Sequence, residues 1–126
     1  MIPQRTKFVM HEHWAKKSGH HFDLRILKDD VLKSWAVPRA KLPGRGERIL
    51  CIQVPDHPKS YYNFTGNITD VYGRGKVSIY DRGPCTILSW KKEKIGIDFK
   101  GKKIKGTYWM IKLAKSKKSW LLLRGK

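Results

Sequence analysis

Residues 20–26, HHFDLRI, place three chemically active side chains at alternate positions. His21, Asp23 and Arg25 are separated by single apolar residues. Successive side chains of a β-strand point to opposite faces, so this spacing predicts one apolar face and one face of imidazole, carboxylate and guanidinium. A strand face that is only solvated needs no such set, because Lys, Thr, Glu or Ser would serve. The pattern therefore indicates chemistry on this strand.

Two further histidines, His11 and His13, lie in the stretch HEH and share one face of an extended chain. If this segment pairs with the next strand, two imidazoles and a carboxylate can converge on one metal ion. Such a mixed set suits Mn²⁺, Fe²⁺, Zn²⁺ or Co²⁺. Three protein ligands leave positions open for water or substrate, as a catalytic metal site requires. The alternative is that these histidines pack locally or lie on the surface.

Several cationic and hydrogen-bonding side chains are candidates for holding a phosphate. The planar guanidinium of Arg25 can grip a phosphate through paired N–H donors, or else form an ion pair with Asp23. His57 and Tyr61, in the stretch DHPKSYY, can donate hydrogen bonds to a phosphate, although Tyr61 can equally belong to the core or stack on a base. Two more cations beside predicted strands, for which an exposed solvated side chain is the alternative, are Arg39 and Arg48.

The chain is strongly basic, with 28 Lys and Arg against 10 Asp and Glu and a formal net charge of +18. This excess indicates a polyanionic partner, with nucleic acid ahead of an anionic membrane. A solubilising surface or an adaptation to high salt is less consistent with charge of one sign, since soluble surfaces usually mix signs. The lysines of residues 91–105 and of KLAKSKKSW alternate with aromatic residues, a pattern typical of surfaces that hold single-stranded ends.

The 126 residues, 40% of them hydrophobic, predict one folded domain that spans residues 1–126. Short runs rich in β-branched and aromatic residues recur between Gly, Pro and Asp, which favours an all-β barrel with short helical turns and long loops. The nine predicted strands are KFVMHEH, HHFDLRIL, VLKSWAV, RILCIQV, KVSIYDRG, TILSWKK, KIGIDFKG, KIKGTYWMIKL and SWLLLRG. Residues 40–48 and 55–75 are predicted loops, LKDDV a tight turn, and EHWAKKSG a helical turn or a loop.

The chain shows no sign of secretion or membrane insertion. No apolar stretch approaches the ~18 residues of a membrane span, and the N-terminus is too interrupted for a signal peptide. The expected compartment is the cytoplasm. Cys51 and Cys85, far apart in the sequence, are then expected to be reduced thiols packed in strands.

Five blocks of the sequence together resemble, in the same order, the 3′-phosphoesterase domain of the bacterial end-joining ligase D family. The blocks are FVMHEHWAKKSGHHFDLRI, LKSWAVP, VPDHPKSYYNFTG, YGRGKVSIYDRG and WLLLR. The resemblance runs over nearly the whole chain. Because polymerase and ligase modules are absent from these residues, it predicts a free-standing, monomeric version that works with separate ligase and polymerase proteins.

The resemblance implies a small β-barrel that binds one Mn²⁺, with Co²⁺ or Zn²⁺ as other possible metals. It implies that the protein trims 3′ ends of DNA or of RNA–DNA primer-templates: a terminal ribonucleoside is removed, then the remaining 3′-phosphate, leaving a 3′-OH. By position, the metal ligands of the family fall on His13, His21 and Asp23. Its phosphate contacts fall on Arg25, His57 and Tyr61, with two further basic positions at Arg39 and Arg48.

The sequence departs from the family pattern beside these ligands. The spacer between His13 and His21 is two residues longer than usual, which makes His20 an alternative ligand. We prefer His21, because it keeps the H-x-D-x-R alternation. His11 replaces a common glutamine, so it is a candidate for a contact just behind the metal ligands. His57 is left with two roles, either a hydrogen-bond donor to the phosphate or the acid that protonates the leaving oxygen.

Two other classes of protein fit parts of the sequence. A non-catalytic barrel that binds single-stranded nucleic acid would use the basic surface alone and would have no need for the His–Asp–Arg face. A structural zinc site built from His and Cys lacks the paired-ligand spacing expected of such sites.

Overall fold

A computed structural model describes residues 2–17, 19–69 and 74–125, and most of these residues lie in β-strands. The strands of this part of the chain are β1 (Gln4–Ala15), β2 (Gly19–Lys28), β3 (Val31–Pro38), β4 (Arg48–Pro58), β5 (Gly66–Ile68), β6 (Gly75–Trp90), β7 (Lys94–Lys100), β8 (Lys105–Lys112) and β9 (Ser119–Arg124). A short 3₁₀ helix, Lys59–Asn63, follows β4. No helix within the described ranges is long and apolar enough to cross a membrane.

Eight of the strands close into an antiparallel barrel. They are hydrogen-bonded in the order β1-β2-β3-β4-β9-β8-β7-β6, and β6 pairs back with β1 over nearly the whole length of both strands. β5 lies outside this ring and pairs with the first three residues of β6. Closure leaves few free strand edges that could pair with the strands of another chain. The prediction of a small all-β barrel is confirmed.

The alternation along β2 separates the barrel core from the outer face. Phe22, Leu24 and Ile26 belong to the core cluster, in which Trp35 of β3 is completely buried. The intervening residues of β2 must therefore point away from the core, on the outside of the barrel. That outer face is covered by a second, smaller apolar cluster around Val9 and Leu32, and the 3₁₀ helix contributes to this cluster.

The predicted strands KVSIYDRG and TILSWKK belong to a single strand of 16 residues, so the predicted break at Pro84 and Cys85 is wrong. Pro84 is opposite Lys7 of β1. On its other side β6 pairs with β5 only over residues 75–77 and with β7 only over residues 85–90, so Pro84 lies where that edge has no partner. A proline is tolerated in a strand where its missing N–H faces no ladder partner.

The predicted loop 55–75 is also wrong over much of its length. β4 continues through Pro58, the 3₁₀ helix follows at once, and β5 occupies Gly66–Ile68; residues 70–73 lie outside the described part of the chain. β1 extends to Ala15, so only residues 16 and 17 of the segment EHWAKKSG form a turn before the undescribed residue 18. LKDDV is the predicted tight turn, with Asp29 and Asp30 both at positive φ. Cys51 and Cys85 are free, buried thiols, as predicted.

Candidate active site

The β1–β2 hairpin brings the polar side chains of the two strands together. His13 is directly opposite His21, and His11 is opposite Asp23, in the antiparallel register. Directly opposed residues of antiparallel strands face the same side of the sheet. The hairpin closes through Gly19, whose φ of 76° is in the left-handed region that glycine enters without strain. The register therefore places these side chains together, on the face of β2 that points away from the core.

His13, His21 and Asp23 form a compact, buried cluster. One ligand atom of each residue lies within 4.8 Å of the other two. Nε2 of His21 is 3.3 Å from Oδ1 of Asp23, and Nδ1 of His13 is 3.6 Å from Oδ2. For metal–ligand bonds of about 2.1 Å in a tetrahedral arrangement, neighbouring ligand atoms lie ~3.4 Å apart. The spacing and the chemistry of the donor set therefore both fit a divalent metal ion.

His21 is oriented for coordination, whereas His20 is not. Nδ1 of His21 lies 3.1 Å from the Gly19 carbonyl oxygen. When Nδ1 carries the proton and donates to this oxygen, the lone pair of Nε2 is free to face the cluster, as metal-bound histidines require. His20 instead contacts the Glu12 carboxylate and stacks on the Trp14 ring, and it lies outside the cluster. The geometry therefore supports the choice of His21.

The charges of the cluster are set by burial and by close partners. Burial favours the neutral form of Asp23, but the nearby rings of His13 and His21 and the charge of Arg25 outweigh it and hold the pKa of Asp23 well below its ordinary value. Burial also disfavours the charged form of His21, yet its contact with Asp23 raises the pKa of His21. The carboxylate is therefore ionised, as a metal ligand must be.

Arg25 is a buried cation held on three sides. Its Nε donates to Nδ1 of His11 at 3.1 Å, its Nη1 donates to Nδ1 of His57 at 3.2 Å, and its Nη2 lies 3.6 Å from Oδ2 of Asp23. The guanidinium also lies over the ring of Tyr61, 5.0 Å from its centroid. A guanidinium has five N–H donors, and the hydrogen bonds to His11 and His57 use two of them, so the others can donate to an anionic ligand.

The 3₁₀ helix and the segment after it cover this part of the outer face. The Tyr61 ring stacks on Phe64 at 4.6 Å and makes edge or tilted contacts with the rings of His11 and His57. Tyr62 is buried beside Val9 and Leu32 in the smaller apolar cluster. This lid excludes water from Arg25, which strengthens its electrostatic interactions.

Both imidazoles that face Arg25 are neutral at pH 7. Burial and the charge of Arg25 lower the pKa of His11 to about 4, and the same causes lower the pKa of His57. Since Nδ1 of His11 accepts from Arg25, its proton resides on the buried Nε2. A backbone contact with Phe64 acts against the lowering of the His11 pKa. Nδ1 of His57 lies near both Arg25 and the Pro55 carbonyl, and acceptance from Arg25 leaves Nε2–H as its donor.

The structure does not bring the other two predicted phosphate contacts into the cluster. Arg39 is exposed and follows directly after Pro38, the last residue of β3, which lies opposite His21. Its φ is positive. Arg48 is exposed at the opposite end of β4 from His57. Neither makes an ion pair or hydrogen bond with the cluster. Sequence reasoning missed the stacking of Phe64 on Tyr61 and the contact of the Gly19 carbonyl with His21. The sequence pattern does not show which ring an aromatic residue stacks on or which side chain a backbone carbonyl contacts.

Comparison with known proteins places these features in a family. A family model described as the DNA Ligase D 3′-phosphoesterase domain matches residues 11–112. The chain is 32% identical over 128 residues to the multifunctional non-homologous end joining protein LigD of Pseudomonas aeruginosa, covering 95% of this chain and 15% of that protein. It is 34% identical over 132 residues to the protein of the same name from Mycolicibacterium smegmatis, covering 95% of this chain and 17% of that protein.

A third relative, the multifunctional non-homologous end joining DNA repair protein LigD of Mycobacterium tuberculosis, is 34% identical over 110 residues, which cover 83% of this chain and 14% of that protein. The chain thus spans 14% to 17% of the length of these relatives. The family match covers both strands of the hairpin from His11 onward, together with the 3₁₀ helix and most of the barrel. This chain belongs to the DNA ligase D 3′-phosphoesterase domain family.

Proposed function

We propose that this protein is a metal-dependent phosphoesterase that repairs 3′ ends of DNA and of RNA–DNA primer-templates. It removes a terminal 3′-ribonucleoside and then the 3′-phosphate, and it leaves a 3′-OH for end joining. The observation that carries the proposal is the His13–His21–Asp23 cluster beside the buried Arg25. The relatives named for non-homologous end joining support DNA ends as the substrate.

The donor set of two imidazoles and one carboxylate would hold the metal ion. We propose Mn²⁺ as the cofactor, with Co²⁺ or Zn²⁺ as substitutes, because imidazole and carboxylate together suit these borderline ions. When bound, such an ion polarises a phosphoryl oxygen and lowers the pKa of a coordinated water.

The residues next to the cluster would bind and orient the phosphate. The N–H groups of Arg25 that do not bond His11 or His57 grip non-bridging oxygens, where negative charge accumulates during phosphoryl transfer. Tyr61 holds the guanidinium through its ring and excludes water from it. Neutral His57 donates Nε2–H to the phosphate, since its lowered pKa leaves little imidazolium at pH 7. Arg39 and Arg48 remain proposed contacts to more distant phosphates.

A labelled DNA primer that ends in one ribonucleotide, and a second that ends in a 3′-phosphate, test this function directly. We expect the full chain to convert both to 3′-OH ends with Mn²⁺ and to convert neither in the presence of a chelator, with Mg²⁺ as a third condition. Binding of the primer without any product under all three conditions would instead identify a non-catalytic nucleic-acid-binding barrel.

A further inference from the structure

A basic groove lies at the end of the barrel where β3 begins and β4 ends. Two adjoining clefts of about 210 and 470 Å³ share Lys33 and Gln53 in their walls. The smaller cleft opens between the ends of β6 and β9, and the larger one passes over β4 at Val54–Asp56 toward the β8–β9 turn. We call this continuous surface the lysine groove, after its lysines Lys33, Lys91, Lys92, Lys117 and Lys118.

The lysine groove carries a large excess of positive charge. Asp56 is the one carboxylate in the described lining, and its Oδ2 accepts from Nζ of Lys33 at 2.9 Å. The other four lysines are exposed and form no ion pair with a carboxylate in the described ranges. Unpaired ammonium groups that line a cleft favour binding of a polyanion, because the cleft walls concentrate their field.

The β8–β9 turn presents two of these lysines from a fixed backbone. The hydroxyl of Ser116 accepts from the backbone N–H groups of Lys118 and Ser119, at 3.3 and 3.0 Å. The N–H of Gln53 donates to the Lys118 carbonyl at 2.7 Å, which ties the turn to β4. The side chain of Lys117 is exposed and takes no part in this network. The turn is therefore ordered by its backbone, while the ammonium groups remain available.

The lysine groove leads to the candidate active site. β4 pairs with β9 only as far as Ile52, so its edge beyond Gln53 is open beside the turn. The pairing of β4 with β3 shifts register just here, from Val54 to His57. The three residues that follow Val54, up to His57, span roughly 10 Å along β4 at ~3.3 Å per residue. The groove thus ends beside His57, and Arg25 and the metal cluster follow in order along β2.

We propose that the lysine groove binds the sugar–phosphate backbone of the strand that leads to the 3′ end in the active site, an inference that rests on the proposed function. The strand enters at the lysine end of the barrel and runs past His57 and Arg25, and its 3′ terminus lies at the metal cluster. The segment of β4 between Val54 and His57, roughly 10 Å long, has room beside it for about three nucleotides at 3.4 Å per nucleotide.

The test compares two double variants that each remove two positive charges. Lys117→Gln with Lys118→Gln alters the groove, and Lys102→Gln with Lys105→Gln alters exposed lysines at the β7–β8 turn, at the other end of the barrel. The probes are fluorescent single strands with a 3′-OH, about 4 and about 16 nucleotides long, a range that spans single-strand site sizes. Their Kd values are measured by anisotropy across a salt series.

For the long strand, we expect the groove variant to lower the slope of log affinity against log salt by about 1.4, or ~0.7 per lost phosphate contact. The control variant should keep the slope of the unchanged protein, and neither variant should alter binding of the short strand. An unchanged slope in the groove variant, or an equal loss in the control, would overturn the proposal. Because the probes carry the product end, this outcome is independent of whether the protein turns over any substrate.

Discussion

Asp23 is the residue on which the candidate metal site depends most, because both of its oxygens are engaged by the surrounding side chains. Asp23→Asn keeps the shape of the side chain but removes the charge that a divalent ion requires. We expect this variant, like His13→Ala, to lose at least ~100-fold in turnover with Mn²⁺, since even partners behind the ligands contribute 10–100-fold. Initial rates on both primer substrates provide the measurement.

A matched control for this prediction is Glu12→Gln, which alters a carboxylate of the same hairpin that contacts His20 outside the cluster. It should retain most of the activity. Near-normal turnover by Asp23→Asn would refute the assignment of the ligands.

Because the pKa of His57 is lowered, its two proposed roles, acid or hydrogen-bond donor, predict different dependences of kcat/KM on pH. A protonated acid is lost as pH rises through its pKa, so an acid with a pKa below 6.5 would make kcat/KM fall about tenfold per pH unit above neutrality. If His57 is a neutral hydrogen-bond donor, it is already in its active form above neutrality, so we expect no such decline between pH 7 and 8.

We also expect His57→Gln, which keeps an N–H donor, to retain more activity than His57→Ala. A decline with slope −1 in the unchanged protein that disappears in His57→Gln would identify His57 as the acid.

The sequence predicted the members of the cluster because alternation in a strand is a local property. The H-x-D-x-R spacing fixes one face, and histidines two residues apart in an adjoining strand must share a face as well. The sequence could not predict that Arg25 is held by His11 and His57. Those contacts depend on the register of β1 with β2 and on the path of β4, which are set by pairing over distant parts of the chain.

At the scale of strands and turns, the errors in the predictions occur at prolines, which the sequence pattern places at strand ends or in loops. Pro84 looked like a strand end but occupies a partnerless edge of β6. Pro55 and Pro58 looked like loop residues but extend β4 to the 3₁₀ helix, which covers the candidate active site. Strand interiors rich in apolar and β-branched residues were predictable, because their burial is decided by the pattern itself.

The β7–β8 turn is organised by one buried carboxylate, Asp81 of β6. Its oxygens accept from four backbone N–H groups, those of Arg82, Lys102, Lys103 and Ile104, at 2.7 to 3.0 Å. We expect Asp81→Asn to lower the free energy of unfolding by about 3 kcal/mol, because the amide offers one acceptor oxygen instead of two and carries no charge. The corresponding fall in Tm is roughly 10 °C, measured by thermal denaturation.

The effect of Asp81 should also depend on pH. Burial favours its neutral form, but the four backbone hydrogen bonds outweigh it and lower the pKa of Asp81 below the ordinary 3.8. A lowered carboxyl pKa gives stability that is present above 3.8 and lost as pH falls through the folded-state value. The Tm difference between Asp81→Asn and the unchanged protein should therefore shrink as pH falls below 3.8 and through the lowered pKa of Asp81. A difference that stays constant as the solution is made more acidic through this range would show that the charge of Asp81 is not what stabilises the turn.

On the scale of the whole molecule, the barrel separates the hydrophobic core from the chemistry. The core fills the inside, so the outer face of the β1–β2 hairpin can carry buried polar groups without interrupting it. The net charge of +18 is spread along the chain, and exposed lysines lie in turns at both ends of the barrel, so charge alone could not locate the site in the sequence. The 3₁₀ helix packs Tyr61 against His11 and Arg25, and the pairing of β1 with β2 places His13, His21 and Asp23 side by side.

Metal binding should for this reason stabilise the entire fold. The three proposed ligands come from two strands and are brought together only in the folded chain, so an ion that they hold would bind the folded state in preference to the unfolded one. At 100 times its Kd, such an ion adds about 2.7 kcal/mol to the free energy of unfolding. We expect Mn²⁺ to raise Tm by roughly 10 °C, and a chelator to reverse the rise. The rise should vanish in His13→Ala and Asp23→Asn but persist in Glu12→Gln. An equal rise in Asp23→Asn would mean that the ion binds elsewhere on the protein.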